Sequence, residues 1–370
     1  MKIGLVTWIG TGNYGTVLQS FALHEKLKSM GYSVYIICGF RQAGLIGTLT
    51  KATLRACGLL GLRMKAAFRA VSPHNVGKFY RFVKENYNIA TPISAGELAN
   101  VVAATDVFVA GSDQIWNTRY RFDTFMFLDF ADGKKKISYA SSIGVTDIPQ
   151  EHKKKVKELL AGFSHIGVRE RTAAESISRL TGRKDVEQVL DPTFLLTPDD
   201  WLKVCGKARH ETTLPDNYIL CYLIGNNERY KRQIDEIRSE SGIKNVVVIP
   251  AGENQNFSMP GATICNQTGP AEFVDLVRRA TLVCTDSFHA TALSINMSKD
   301  FVELLRFDDS DGDSQNSRLY DLLDRYNLSK RLLHDGGRIP DAHIDYETVQ
   351  AMLETDRAHS LKFLTDSIER

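Results

Sequence analysis

The chain has 370 residues, of which 43% are hydrophobic and 24% charged, with a formal charge of +2 at neutral pH. That length is more than one core usually serves, so two domains are expected, and the net charge alone points to no class of partner. No run of about 18 apolar residues exists to cross a bilayer. The apolar start, residues 1–8, is broken too soon by Gly10 to be a secretory leader. Six scattered cysteines (Cys38, Cys57, Cys205, Cys221, Cys265 and Cys284), without a Cys-x-x-Cys pair, indicate neither a zinc site nor a disulfide framework and fit a reducing cytoplasm.

In chain order, residues 2–8 have the composition of a strand, 16–30 carry apolar residues at helical spacing, and 32–38 read as the next strand. The connection, Gly10-Thr11-Gly12-Asn13-Tyr14-Gly15, matches Gly-x-Gly-x-x-Gly. The second strand, however, ends in Ile37-Cys38-Gly39-Phe40-Arg41, without the acidic residue that a dinucleotide ribose requires. A glycine loop for another ligand, or for tight packing, is the better reading. From Lys26 to Lys84 there are eleven Lys or Arg and no acid. Within that stretch, residues 45–72 form a basic amphipathic pattern, with Lys51, Arg55, Lys65 and Arg69 opposite Leu49, Leu60, Met64, Ala67 and Val71. Such a segment suits an anionic membrane surface, or equally a solvated helix on its own domain.

Residues 97–103 are helical and 106–110 form a buried strand ending in Gly111-Ser112-Asp113-Gln114. Small polar residues at that edge stand where open α/β sheets place ligands; an Asx turn at Asp113 is the plainer alternative. Residues 125–130 and 136–141 read as strands, and 153–163 as a helix with a solvated basic face. Ile166-Gly167-Val168 leads into Arg169-Glu170-Arg171, and Val189-Leu190-Asp191-Pro192 is a short strand and turn. A polar linker, 203–217, precedes a second βα series: strand 218–224, helix 228–239, strand 246–249, helix 273–279, strand 280–284, helix 288–295 and strand 301–305. Two Rossmann-like domains facing across a cleft are expected, 1–205 and 215–335, with a helical tail at 340–370 packing back on the first. The acidic run at 308–313 lacks the glycine and glutamate placement of a calcium loop. Asp341-Ala342-His343-Ile344-Asp345 reads as a polar turn.

The chemistry concentrates where strand 280–284 runs into Thr285-Asp286-Ser287 and a helix opens with Phe288-His289. Free N–H groups at such a helix start favour anions, and His289 in the first turn could touch whatever is held there. A capped helix with a histidine packed beside it is the structural alternative.

Five motifs, in this order, resemble the polysaccharide pyruvyl transferase family over roughly residues 1–325. They are Asn13-Tyr14-Gly15-Thr16-Val17-Leu18-Gln19, Gly111-Ser112-Asp113-Gln114-Ile115-Trp116-Asn117, Val168-Arg169-Glu170-Arg171-Thr172, Val189-Leu190-Asp191-Pro192-Thr193 and Thr285-Asp286-Ser287-Phe288-His289. The resemblance implies a GT-B-like fold and transfer of the enolpyruvyl carbon of phosphoenolpyruvate (PEP) onto sugar hydroxyls, usually as a cyclic pyruvate ketal. It carries the family histidine onto His289 and the arginine ending a first-domain strand onto Arg169. Some branches have Arg-Leu-His where this chain has Ser287-Phe288-His289, and Arg318 and Arg171 are candidates to supply the missing cation. Ala290 stands where a glycine is common.

On this reading Thr285, Asp286, Ser287, Arg171 and Arg318 are expected around the donor, while Asn13, Tyr14, Gly15, Gly111, Ser112 and Gln114 serve the acceptor or its loops. Arg169 offers a forked guanidinium to a carboxylate or phosphate. His289 is the expected general acid, its protonated form favoured by the charge of bound donor, and Asp113 is placed to orient or deprotonate the acceptor hydroxyl. No cofactor, metal or nucleic acid is called for. The expected partners are PEP and a glycan or lipid-linked oligosaccharide at the cytoplasmic face of the membrane. Two rival readings are a nucleotide-sugar-dependent glycosyltransferase on the same frame and a non-catalytic glycan-binding relative.

Overall fold

The computed structural model describes residues 1–9, 12–38, 75–308, 314–337 and 343–370. The amphipathic segment at 45–72, Gly10 and Thr11, most of the acidic run after Asp308, and Asp341 and Ala342 lie outside the described residues.

The first half contains strands β1 (Lys2–Val6), β2 (Ser33–Ile37), β3 (Ile89–Ala90), β4 (Val107–Ala110), β5 (Lys135–Ser141), β6 (His165–Val168) and β7 (Val186–Gln188). Its helices are α1 (Tyr14–Ser29), α2 (Val76–Asn86), α3 (Ala95–Ala103), α4 (Gln150–Leu160), α5 (Arg171–Thr181) and α6 (Pro198–Cys205). The strands lie in the order β3-β2-β1-β4-β5-β6-β7. The second half runs β8 (Tyr218–Tyr222), α7 (Arg229–Ser241), β9 (Asn245–Val248), β10 (Thr263–Ile264), α8 (Pro270–Arg279), β11 (Leu282–Thr285), α9 (Phe288–Asn296), β12 (Phe301–Leu304), α10 (Ser317–Arg325) and β13 (Leu332–Leu333). Its sheet order is β10-β9-β8-β11-β12-β13. All strand pairings among the described residues are parallel. Helices cover both faces of such sheets, which explains why the central strands read as unbroken apolar runs.

Each sheet reverses its strand order once, between β1 and β4 in the first and between β8 and β11 in the second. Crevices open at the carboxyl ends of strands at such reversals. The two crevices take their walls from the loops after β1 and β4, and from those after β8 and β11. These are the loops that carry Asn13–Gly15, Gly111–Gln114 and Asp286–Ser287.

The domains meet over a buried aromatic contact. Tyr14, at the start of α1, stacks on Phe273 of α8 with centroids 4.5 Å apart and meets Tyr222 edge-on at 5.5 Å. Its hydroxyl donates to Thr268 O (3.0 Å) and accepts from Asn75 Nδ2 (3.0 Å). Each aromatic pair adds about 0.5–1.5 kcal/mol beyond its buried area. The tail helix, α11 (Tyr346–Glu369), returns across the first domain. Lys135 Nζ donates to Ile368 O (3.0 Å), Leu190 N donates to Ser360 Oγ (3.0 Å), and Phe363 lies so close to Gly167 that a Cβ there would stand 2.5 Å from its ring. Two Rossmann-like domains face each other in a GT-B-like arrangement, with the C-terminal helix laid on the first.

Two expected elements differ: the short strand expected at Val189-Leu190 lies earlier, at β7 (Val186–Gln188), and the one expected at 125–130 is absent. Residues 125–130 form no strand; Thr124–Phe127 is a 3-10 turn, closed when Phe125 N donates to the Asp123 carboxylate and ended by Leu128 at φ 57°. The aromatic residues of this stretch pack in pairs, Phe125 on Phe130 and Phe127 on Trp116. Local turn chemistry outweighs β propensity here.

Candidate active site

Arg169, the first residue beyond β6, is buried where the carboxyl ends of β4, β5 and β6 converge. Its Nε donates to Glu170 Oε1 (2.7 Å), its Nη1 donates to Asp191 Oδ2 (3.1 Å), and Asp113 Oδ1 lies 3.8 Å from Nη1. Its plane sits 4.2 Å from the centre of the Phe288 ring, which arrives from the second domain. The remaining nitrogen, Nη2, is buried without a hydrogen bond, as is Glu170 Oε2. Burial works against the charge of this guanidinium, but Glu170, Asp191 and Asp113 together hold its pKa above the ordinary arginine value.

Asp191 ties the two domains' chemistry together. Its Oδ1 accepts from Thr193 N (3.0 Å) and Thr193 Oγ1 (2.8 Å), so the carboxylate closes its own Asp-Pro-Thr turn. Its Oδ2 accepts from Arg169 and from Ser112 Oγ (3.3 Å), and stands 3.5 Å from His289 Nε2. No well-formed hydrogen bond joins His289 Nε2 to it, so that contact is electrostatic. Burial pushes the Asp191 carboxyl up, yet His289, then Arg169 and the Thr193 amide, pull harder and leave it well below the usual carboxylate range. The other side of the imidazole meets the backbone of α1. A Cβ on Gly15 would lie 2.1 Å from His289 Nδ1, so only glycine lets α1 approach the ring. That is the physical need behind this glycine.

Arg318, from the first turn of α10, is also buried, and among the described residues its Nε and Nη2 donate to Gln315, at 3.3 Å to the carbonyl and 2.9 Å to Oε1. No ion pair holds it among the described residues. Burial, and then the like charge of Arg169, depress its pKa to about 9. Arg169, Arg318 and Arg325 line one small cavity of about 20 Å³ that opens toward solvent, with Asp191, Asp321 and Phe288 also in its wall. His289 is not part of that wall; Asp191 is common to the cavity and to the imidazole. Gln114 Nε2 donates to Gln315 Oε1 (3.0 Å) and bridges the domains above it.

The structure thus brings Arg169, His289, Asp113, Ser112, Gln114, Gly15 and Arg318 to one junction. Asp113, at φ 73°, accepts from Thr16 Oγ1 (2.9 Å) and its neighbour's amide (2.9 Å), the local turn the sequence offered as its plainer role. Others are placed differently. Arg171 points outward, 67% exposed, with its nearest acid 3.8 Å away at Asp321. Asp286 turns its carboxylate back into the second crevice: Oδ1 accepts from Ile224 N (2.7 Å), and Oδ2 accepts from Gly225 N (2.8 Å), Tyr230 Oη (2.8 Å) and Arg306 Nε (3.3 Å). Thr285 Oγ1 donates to Tyr222 O and accepts from Ser287 N. Asn13 caps α1, Tyr14 belongs to the domain contact, and Gly111 lets Tyr139 O pass where a Cβ would be 1.9 Å away. Ser287 starts α9 without a side-chain cap.

Sequence reasoning gave no role to Asp191, Glu170 or Gln315. Asp191 stood inside a quoted motif, which was the available signal; its partners come from distant segments. Among the described residues no cluster of His, Cys, Asp and Glu is arranged to hold a metal, and no helix is long and apolar enough to cross a membrane.

Facing Rossmann-like domains with polar groups gathered between them define the GT-B-like class. In fold the chain is similar to a Listeria monocytogenes protein described as a UDP-N-acetylglucosamine 2-epimerase, with TM-score 0.51 and 12% identity over 100% of this chain and 89% of that one. It is also similar to UDP-GlcNAc 2-epimerase of Methanocaldococcus jannaschii (TM-score 0.49, 11% identity, 96% and 99% covered) and to MurG of Acinetobacter baumannii (0.47, 9%, 100% and 99%). At such identities the likeness concerns fold alone. Among curated proteins no sequence matches. The family model for polysaccharide pyruvyl transferase matches residues 13–305, and the chain belongs to that family. Membership makes it a transferase of polysaccharide pyruvylation.

Proposed function

We propose that the chain transfers the three-carbon unit of PEP onto sugar hydroxyls of a polysaccharide precursor and forms a pyruvate ketal. The observation that carries this is Arg318, a buried guanidinium with no carboxylate partner among the described residues, next to an Arg169 nitrogen with no hydrogen bond. A buried unpaired cation is costly, and a ligand bearing both carboxylate and phosphate relieves it. In this scheme the two anionic groups of PEP sit against Arg169 and Arg318, and its methylene carbon points past Asp191 to His289.

Protonated His289 gives a proton to that carbon, leaving positive charge on the phosphate-bearing carbon, and a sugar hydroxyl attacks it while Asp113 takes the hydroxyl proton. Asp113 passes that proton to the departing phosphate as the carbon–oxygen bond breaks, and a second hydroxyl of the same sugar attacks the carbon and closes the ketal, its proton returning to His289. Asp191, kept ionised beside the imidazole, supplies the counter-charge. No cofactor enters the scheme. The acceptor enters where the Gln114–Gln315 bridge parts.

The nucleotide-sugar alternative is disfavoured by Asp286. Its carboxylate already occupies the backbone N–H groups that the second crevice would offer a diphosphate. A thermal-shift comparison decides: PEP raises the melting temperature and nucleotide-sugars do not. A shift with a nucleotide-sugar alone would overturn the reading. We further propose a lipid-linked acceptor at the cytoplasmic leaflet, on the strength of the acid-free basic stretch from Lys26 to Lys84. Absence of binding to anionic vesicles at low salt would refute it.

A further inference from the structure

The helix that carries His289 is docked at its far end onto the same turn that carries Asp191. Asn296, the last residue of α9, is fully buried, and its Nδ2 donates to Thr193 O (2.7 Å) and Leu196 O (2.9 Å). Its Oδ1 accepts from Arg357 Nη2 (3.2 Å), and Arg357 Nε donates to Phe194 O (2.6 Å). Arg357 comes from the tail helix and is itself buried. Carbonyls of Thr193, Phe194 and Leu196 are therefore held by one second-domain amide and one tail guanidinium, with Thr193 O also accepting from Trp201 Nε1 (3.1 Å). The turn they belong to begins at Asp191, which is fixed to it through the Thr193 amide and hydroxyl.

A helix is stiff over this length. Seven residues at about 1.5 Å rise separate His289 from Asn296 by roughly 10 Å. The near end meets Asp191 at 3.5 Å without a formed hydrogen bond and is held there by packing, Phe288 against Arg169 and the His289 ring against Gly15 of α1. The far end has two hydrogen bonds, 2.7 and 2.9 Å, to Thr193 O and Leu196 O, and Arg357 of the tail helix adds a third, 2.6 Å, to Phe194 O. The hydrogen bonds that tie α9 directly to the Asp191 turn therefore lie at its Asn296 end.

We infer that Asn296 and Arg357 are positioning residues for the His289–Asp191 pair, acting across the domain boundary and making the tail helix part of the catalytic apparatus. The inference rests on the reading of His289 as the proton donor, and a misplacement of about 1 Å at a reacting group can cost on the order of 100-fold.

The test uses the full-length chain with Asn296→Leu, which keeps the volume and removes all three amide contacts, and with Arg357→Lys, which keeps the charge and loses the fork. Val246→Ala, in strand β9 away from the site, serves as a control for lost stability. Three quantities are measured: the His289 ring titration by 15N NMR, kcat and KM for PEP, and the melting temperature. The expected result is a shifted His289 titration and a kcat lowered at least about tenfold in Asn296→Leu, with KM for PEP within about twofold. Arg357→Lys is expected to be intermediate, and the control to lose stability alone. If the Asn296 and Arg357 variants lower the melting temperature but leave the His289 titration and kcat at wild-type values, the inference is overturned. If Asn296→Leu does not fold, Arg357→Lys decides by the same criteria. A shifted titration in a protein whose wild type never turns over PEP upholds the positioning and removes the PEP reading instead.

Discussion

Replacing Asp191 with Asn perturbs one atom of the site's central carboxylate. Oδ1 would keep its bonds from Thr193, but Oδ2 would become an amide nitrogen facing Arg169 Nη1 and His289 Nε2, at present distances of 3.1 and 3.5 Å. Two donors would oppose the new donor, and the charge balancing Arg169 would drop by one. Breaking a buried ion pair from one side costs about 3–5 kcal/mol. Arg169 retains Glu170 at 2.7 Å and Asp113 at 3.8 Å, which places the cost at the low end. About 3 kcal/mol corresponds to a fall of roughly 6–12 °C in melting temperature for a domain of this size. The pH dependence has a definite sign. The Asp191 pKa is lowered by folding, so its contribution is fully present above the unfolded value of about 3.9 and is lost as pH falls through the folded one. Thermal unfolding followed by near-UV circular dichroism should show an undiminished gap between wild type and variant from pH 8 to pH 5, closing only below about pH 4. A gap under about 1 kcal/mol at pH 7, or one that closes between pH 7 and pH 5, would refute the electrostatic account of this residue.

Gly15→Ala forces a methyl to within 2.1 Å of His289 Nδ1; the expected loss is about 1–3 kcal/mol of stability together with most of the PEP turnover, checked by melting and steady-state assays. Arg318→Met should have opposite effects on stability and binding. Removing a buried unpaired charge leaves the melting temperature unchanged or higher, while PEP affinity measured by calorimetry falls about 10- to 100-fold. Because the Arg318 pKa is depressed to about 9, wild-type affinity for PEP should also decline as pH rises past that value, and a flat profile to pH 10 would contradict the assignment. Glu303, fully buried with Oε1 unbonded and Oε2 accepting from Thr291 Oγ1, has its pKa raised chiefly by burial. A raised carboxyl pKa penalises the fold as pH climbs above the unfolded value, so Glu303→Gln should melt higher than wild type at pH 8, with the gain vanishing toward pH 4.

The alternation of strand and helix was legible because buried parallel strands and amphipathic helices leave opposite periodicities. The two reversal points followed from topology, and the loops there were already marked by small polar residues. The strand expected at 125–130 failed because the Asp123 side chain closes a local turn that outweighs the β propensity of its aromatic residues. In the site, Arg169 and His289 were visible as a strand-end cation and a first-turn histidine. Their connection through Asp191 was not, since it depends on which distant segments the fold superposes. Arg171 and Arg318 were equivalent in sequence; burial alone separates them, one outward and one enclosed. Asp286 looked like a ligand contact because of its neighbours, but a carboxylate beside free loop N–H groups satisfies them itself.

The central claim is that a three-carbon anion is held between Arg169 and Arg318 with its methylene carbon at His289. The most direct measurement is a crystal structure of the protein soaked with PEP. The account predicts phosphate and carboxylate oxygens within about 3 Å of both guanidinium groups and the methylene carbon adjacent to the His289 ring. PEP bound away from this junction, or a nucleotide-sugar ordered in the second crevice with Asp286 displaced, would contradict it.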